Sequence, residues 1–234
     1  MASDAFLFTC EHGGNRIPAP FRSLFRGYDA LLKTHRGFDA GALRMARTLA
    51  RSFKAPLVSS TISRLLVDLN RSIGHPSLFS PATRGAPAMQ RAQIIEQHYL
   101  PYRLCVENLV RQSVAGGRRV VHISAHSFTP ELDGKVRNAD VGLLYDPRRD
   151  GEARLCAAWK EILRHSAPRL RVRRNYPYAG KGDGLTAHLR QRFASGAYLG
   201  IELEINQAIV NAAGPCWASL RRVLTDSLRS SCAL

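Results

Sequence analysis

Four short polar motifs are spread along this chain, and each closes an apolar run or follows one directly. They are Glu11-His12-Gly13-Gly14-Asn15, Arg64 with Asp68-Leu69-Asn70-Arg71, Ser124-Ala125-His126-Ser127, and Glu202-Leu203-Glu204-Ile205-Asn206-Gln207. Chemistry placed at the ends of apolar runs is a strong constraint. In α/β proteins the ends of buried strands are where distant segments assemble one site. Histidines, carboxylates and arginines gathered there point to metal-assisted hydrolysis of an anionic substrate.

The stretches between the motifs alternate in period. Ala5–Thr9, Pro56–Ser59, Leu65–Val67, Arg119–Ile123, Val141–Tyr145 and Leu199–Ile205 read as short strands. Phe38–Phe53, Ile94–Val114, Glu152–His165 and Trp217–Leu228 carry helical spacing, and Pro101 is expected to kink the second of these. Such alternation predicts an α/β sheet covered by helices. With 234 residues, 45% of them hydrophobic, the chain can bury one large core, and residues 1–234 are read as one domain. Ser72–Ala88 and the glycine-rich Tyr176–Gly184 are predicted loops, the first long enough to act as a lid.

Composition narrows the class further. The net charge of +16 attracts small carboxylates and nucleic acid alike. The basic residues form no long run and do not interleave with aromatics, so nucleic acid is not the expected partner. The five cysteines are odd in number and form no CxxC pair, which fits a reducing compartment. No apolar run approaches the roughly 18 residues a membrane span needs. A cytoplasmic location is expected. Cys10, two residues before His12, is read as a small buried strand residue rather than a nucleophile.

His12 and His126, both placed at strand ends beside small residues, suit a catalytic zinc site completed by a carboxylate. Glu11, Asn15 and Asp39 are the candidates for the third ligand, although Asp39 also reads as the N-cap of the helix that follows it. Arg71 can grip a carboxylate in bidentate fashion, with Asn70 adding a hydrogen bond, and Arg64 can steady an oxyanion. Glu202 and Glu204 share strand parity and one face. Carboxylates on an otherwise apolar strand are costly unless paired or functional, so one is expected to be a general base.

With these residues in view, the chain resembles the N-formylglutamate amidohydrolase family. Matching segments run in order: Cys10–Pro18, His35–Leu43, Ser63–Arg71, His126–Pro130, Asn175–Tyr178 and Leu203–Gln207. The family is similar in turn to zinc carboxypeptidases and aspartoacylases. The resemblance implies a mixed α/β sheet with helices on both faces, like that of the zinc carboxypeptidases. It implies one zinc ion held by His12 and His126, with Glu204 as base and Arg64 at the oxyanion; Glu11 is taken as the third ligand. Asn70 and Arg71 would then clamp the substrate carboxylate, with Tyr178 and Lys181 closing over it. Two positions depart from the pattern. Asn15 stands where the His-x-x-Glu ligand pair has its glutamate, and Asn206 stands where relatives carry arginine.

The expected activity is hydrolysis of the acyl amide bond of a small anionic N-acyl amino acid such as N-formyl-L-glutamate. Two rivals share the same residues. One is a metallocarboxypeptidase-like enzyme cutting small or cell-wall peptides, which needs a wider cleft. The other is a non-catalytic binding protein with a decayed site.

Overall fold

The structure is a computed structural model that describes residues 4–212 and 214–233. Its centre is a six-stranded mixed sheet. The strands in chain order are β1 (Ala5–Cys10), β2 (Leu57–Ser59), β3 (Val120–Phe128), β4 (Glu131–Leu132), β5 (Lys135–Val136), β6 (Val141–Leu144), β7 (Val172–Arg174) and β8 (Tyr198–Asn206). The order across the sheet is β2-β1-β3-β8-β6-β7, while β4 and β5 form a separate antiparallel ribbon. Strands β2, β1, β3 and β8 run parallel, and β6 reverses against β8. The helices are α1 (Asp29–Leu32), α2 (Ala42–Phe53), α3 (Pro81–Arg84), α4 (Ala88–Ile94), α5 (Leu100–Ala115), α6 (Asp150–Ser166), α7 (Leu185–Arg192), α8 (Gln207–Asn211) and α9 (Gly214–Ser231).

Strand parity divides the molecule into two layers. Val121 and Ile123 of β3, with Leu199, Ile201, Leu203 and Ile205 of β8, all enter one core against α2, α6 and α9. That core holds Trp159, fully buried, whose indole N–H donates to Ser227 Oγ at 2.9 Å. The other face of β1 and β3 packs Leu7 and Val120 against Tyr102, Val106 and Val110 of α5 and Leu185 and Leu189 of α7. Toward the C-terminal ends of β3 and β8 this second face turns polar, with Ser124, His126, Glu202 and Glu204 in place of apolar side chains.

Three sequence expectations change. Leu65–Val67 is not a strand but a series of turns, pinned by Ser63, whose hydroxyl donates to Gly37 O while its oxygen accepts from Leu65 N–H. Leu65, Leu66 and Val67 are all buried, so the run satisfies its apolar side chains without a ladder and without alternation. The Ser72–Ala88 loop contains helix α3, capped by Ser80 Oγ accepting from Ala82 N–H and started by Pro81. The helical run through Pro101 stays continuous from α4 to α5 by way of a π turn at Ile95–Tyr99. Leu100 N–H reaches Ile95 O there, which lets the chain widen just before a residue that has no N–H to give.

Candidate active site

The site assembles at the carboxyl ends of β1, β3 and β8. After β1 the backbone turns and runs on through Gly13 and Gly14 against the Ser60–Thr61 segment, with Arg16 paired in parallel to Ile62. A Cβ at Gly13 would meet Ser60 O at 2.8 Å, and one at Gly14 would meet Thr61 O at 2.6 Å. Glycine is therefore required by close backbone approach. The turn leaves His12 buried, facing Asp39 and Asp68.

Asp39 is the centre of the cluster. The first residue before α2 is Gly41, and Asp39 makes no side-chain capping bond; the N-cap reading is corrected on that ground. Its Oδ2 lies 3.4 Å from His12 Nδ1 and 2.9 Å from His126 Nδ1. Ligand atoms of His12, Asp39 and His126 all fall within 4.8 Å of one another, and the three groups could hold a metal ion.

Both histidines are braced from behind. His12 Nε2 lies 2.7 Å from Asp68 Oδ1, and His126 Nε2 lies 2.9 Å from Ser124 Oγ and 3.1 Å from Glu11 Oε2. A carboxylate on the far ring nitrogen is the usual arrangement for a histidine that offers its near nitrogen to a metal. Glu11 is thus behind the cluster rather than in it. Its other oxygen accepts from Tyr102 OH at 2.8 Å. Of the three candidates for the third ligand, Asp39 occupies the third corner.

The electrostatics follow from burial and pairing. Burial alone would raise the carboxyl of Glu11, but hydrogen bonds from His126 and Ser124 and the charge of His126 hold it well below the carboxylate range. Asp39 and Asp68 are likewise held low against burial, Asp39 by His12 and Asp68 by Arg64 first. Arg64 donates to Asp68 Oδ2 at 2.8 Å and reaches Asp39 Oδ1 at 3.4 Å, so one cation ties two carboxylates together. Glu204 is the exception. Burial, with Asp39 and Glu202 nearby, pushes it up to about 7 against the opposing pull of His126 and Arg64. Its Oε2 is buried with no hydrogen-bond partner among the described residues. Glu204 stands opposite His126 in the β3–β8 ladder. Cys10 lies outside this chemistry: it is fully buried, and burial pushes its thiol up.

These groups border a cavity of about 330 Å³. Of the sequence-predicted residues, His12, Arg64, Asn70, Arg71, His126, Tyr178 and Glu204 line it. Asn70 Oδ1 accepts from Leu185 N–H at 2.6 Å, which leaves its amide N–H₂ free for the cavity. Arg71 donates to Asp183 O at 2.9 Å, and its buried Nε has no partner among the described residues. Glu202 also borders the cavity, where its Oε1 accepts from Thr186 Oγ at 2.9 Å. Tyr178 is 47% exposed at the mouth, stacked against Arg137 at 4.9 Å. Lys181 is exposed and is not part of the lining.

Residues 4–210 match the N-formylglutamate amidohydrolase family. The chain belongs to that family. Its fold is similar to that of the gene product Atu2144 from Agrobacterium tumefaciens, with a TM-score of 0.84, 29% identity, and coverage of 99% of this chain and 92% of that one. It is also similar to an N-formylglutamate amidohydrolase from Ralstonia eutropha JMP134, with a TM-score of 0.69, 19% identity, and coverage of 98% and 93%. At that identity the second likeness speaks to fold alone. No curated protein matches the chain. No helix among the described residues of this amidohydrolase family member is long and apolar enough to cross a membrane.

The sequence reading missed His75, Ser127 and Asp183 in the lining, and Asp68 as the brace of His12. Asp68 carried a signal, since it sits two residues before the Asn-Arg pair. His75 and Asp183 carried none, because each lies in a loop whose path depends on the other loop.

Proposed function

We propose that the protein is a zinc-dependent amidohydrolase that cleaves the acyl amide bond of a small N-acyl amino acid such as N-formyl-L-glutamate. The observation that carries this reading is the convergence of His12, Asp39 and His126, both histidines backed by a carboxylate, beside a glutamate raised to about 7. Two imidazoles and one carboxylate are a borderline-soft donor set that suits zinc. A zinc ion held there would supply Lewis acidity to the acyl carbonyl.

The remaining steps belong to the chain itself. Glu204 takes the proton from the attacking water as the C–O bond forms, and returns it to the nitrogen as the C–N bond breaks. A carboxyl group that burial raises toward neutrality suits both transfers. Arg64 stabilises the developing oxyanion. Arg71 and the free N–H₂ of Asn70 hold the substrate carboxylate, and Tyr178 closes the mouth. Glu11 and Asp68 keep the two imidazoles oriented.

The cavity volume of about 330 Å³ favours a small substrate over a peptide, at the low end of the range for small-molecule sites. A complete donor set with both braces argues against a decayed site. Five free cysteines, among them the exposed Cys105 and Cys216, support the cytoplasm as the working compartment.

The test is elemental analysis of the purified protein together with turnover of N-formyl-L-glutamate. One equivalent of zinc is expected, and His126→Ala should lose both metal and turnover while keeping its circular dichroism spectrum. Turnover that survives both chelation and His126→Ala overturns the reading.

A further inference from the structure

His75 lines the same cavity from the loop after the Asn70-Arg71 pair, and the proposed function leaves it without a role. Its surroundings fix its chemistry. Ser77 N–H donates to His75 Nδ1 at 3.0 Å. In a neutral imidazole one nitrogen accepts and the other carries the proton, so this bond places the hydrogen on Nε2. Among the described residues nothing pairs with Nε2. The ring, which is part of the cavity lining, therefore carries a single N–H donor without a protein partner.

The donor is held in place rather than left to swing. His75 N–H donates to Ser72 O at 3.1 Å, and Leu78 N–H donates to His75 O at 2.9 Å. Leu78 O in turn accepts from Asp68 N–H at 2.9 Å, which anchors the loop to the brace of His12. On the other side, Asp183 accepts from Ser72 N–H at 3.0 Å and from the Ser72 hydroxyl. Tyr99 OH, donating to Arg71 O at 2.7 Å, fixes the start of the loop. A donor immobilised this way can discriminate between ligands, because the ordering is complete before anything binds.

Position decides which part of a ligand it meets. The scissile end of the cavity is built from β1, β3 and β8, where His12, His126 and Glu204 sit. His75 comes instead from the loop that carries Arg71 and is tied through Ser72 to Asp183, so it shares the end of the cavity that Arg71 and Asp183 line. On the proposed function, that end takes the amino-acid half of the substrate. Arg71 and Asp183 bring one positive and one negative charge to this end, so charge alone does not choose between a carboxylate and a carboxamide there. Both present a carbonyl-type oxygen to an N–H.

We propose that His75 is a specificity-determining residue whose Nε2–H binds an oxygen on the side chain of the amino-acid moiety, selecting acidic or carboxamide side chains over apolar ones of equal length. The inference rests on the proposed function for the identity of that moiety. A site that hydrogen-bonds a substrate group rejects the analogue lacking it far more strongly than an apolar pocket rejects a methylene.

The experiment compares the metal-loaded wild-type protein with His75→Phe, which keeps a ring and removes the donor, and His75→Gln, which keeps an N–H. Each is given N-formyl-L-glutamate, N-formyl-L-glutamine and N-formyl-L-norvaline for turnover, and the three free amino acids for calorimetric binding. The wild type should favour glutamate or glutamine over norvaline by about tenfold or more, the scale of one lost hydrogen bond. The better of the two identifies the side-chain class. His75→Phe should lower that preference about tenfold and leave norvaline within about threefold, while His75→Gln keeps part of it. A preference unchanged in His75→Phe, an equal fall on all three substrates, or no preference in the wild type overturns the inference. Side-chain preference in binding without turnover of any N-formyl compound overturns the hydrolase reading and supports His75. Absence of both binding and turnover overturns both.

Discussion

Strand β8 has two faces with opposite contents. On one, Leu199, Ile201, Leu203 and Ile205 pack into the core formed with α6 and α9. On the other, in the same period of two, Glu202 meets Thr186 of α7 and lines the cavity with Glu204. Strand β3 repeats the division, with Val121 and Ile123 against His122, Ser124 and His126. One set of backbone hydrogen bonds thus supports both a hydrophobic layer and a row of ionisable groups. The apolar face supplies the stability that lets buried carboxylates and imidazoles be held on the reverse side, where burial alone works against their charge.

If the two faces divide labour in this way, substitutions on each should move different observables. The largest effect is expected at Trp159, fully buried on the apolar face. Trp159→Ala should lower the unfolding free energy by about 3–5 kcal/mol, read from denaturant titration, while the folded fraction keeps its catalytic efficiency. Equal damage to both would mean that the faces are not separable. Glu204→Gln comes next, on the polar face. Turnover should drop by roughly two orders of magnitude or more with the metal content unchanged from wild type, and the denaturation midpoint should hold or rise, because the glutamine removes a carboxylate that burial disfavours. A clear loss of stability in this variant would show that Glu204 supports the fold.

The smallest effect concerns His122, which lies below the site on the same face. Its ring nitrogens meet Thr9 Oγ1 at 2.8 Å and Tyr198 OH at 2.7 Å. Burial lowers it to about 4, although Glu11 pulls the other way. In the unfolded chain it regains the ordinary histidine value near 6.5. Between these values the unfolded chain binds the extra proton, so stability falls as pH drops from about 6.5 to about 4. At pH 5 this loss should be about 1–2 kcal/mol relative to pH 7, and His122→Gln should remove that part of the pH dependence. Matching pH profiles for the two proteins would exclude His122 as the source.

Much of this division was legible in the sequence. Period-two alternation of Leu and Glu in Leu199–Ile205 announced both faces of β8, and polar motifs closing apolar runs located the site. The failures share a physical origin. Leu65–Val67 looked like a strand because three consecutive apolar residues do not reveal whether burial comes from a sheet or from a tight turn. Asp39 looked like a cap because helix propensity is local, whereas its partners His12 and His126 are 27 and 87 residues away. Glu11 was admitted as a ligand on the expectation that the Gly13-Gly14 turn would bring adjacent side chains to one side, yet neighbouring residues leave the backbone in different directions, and its carboxylate turns toward Ser124 and Tyr102. His75 depended on two loops meeting, which no single segment encodes.

The pairing of His126 with Glu204 across β3 and β8 has a wider consequence. Neighbouring strands lie at a spacing set by the ladder, about 4.8 Å. The distance between these two groups is therefore inherited from the sheet and is insensitive to what happens at its rim. The residues that would recognise a ligand, by contrast, hang on the segments 70–80 and 176–184. Reshaping this protein for a new molecule is then a matter of rewriting its rim: diversity confined to those segments should alter which compound is accepted long before it alters whether a bond is cut.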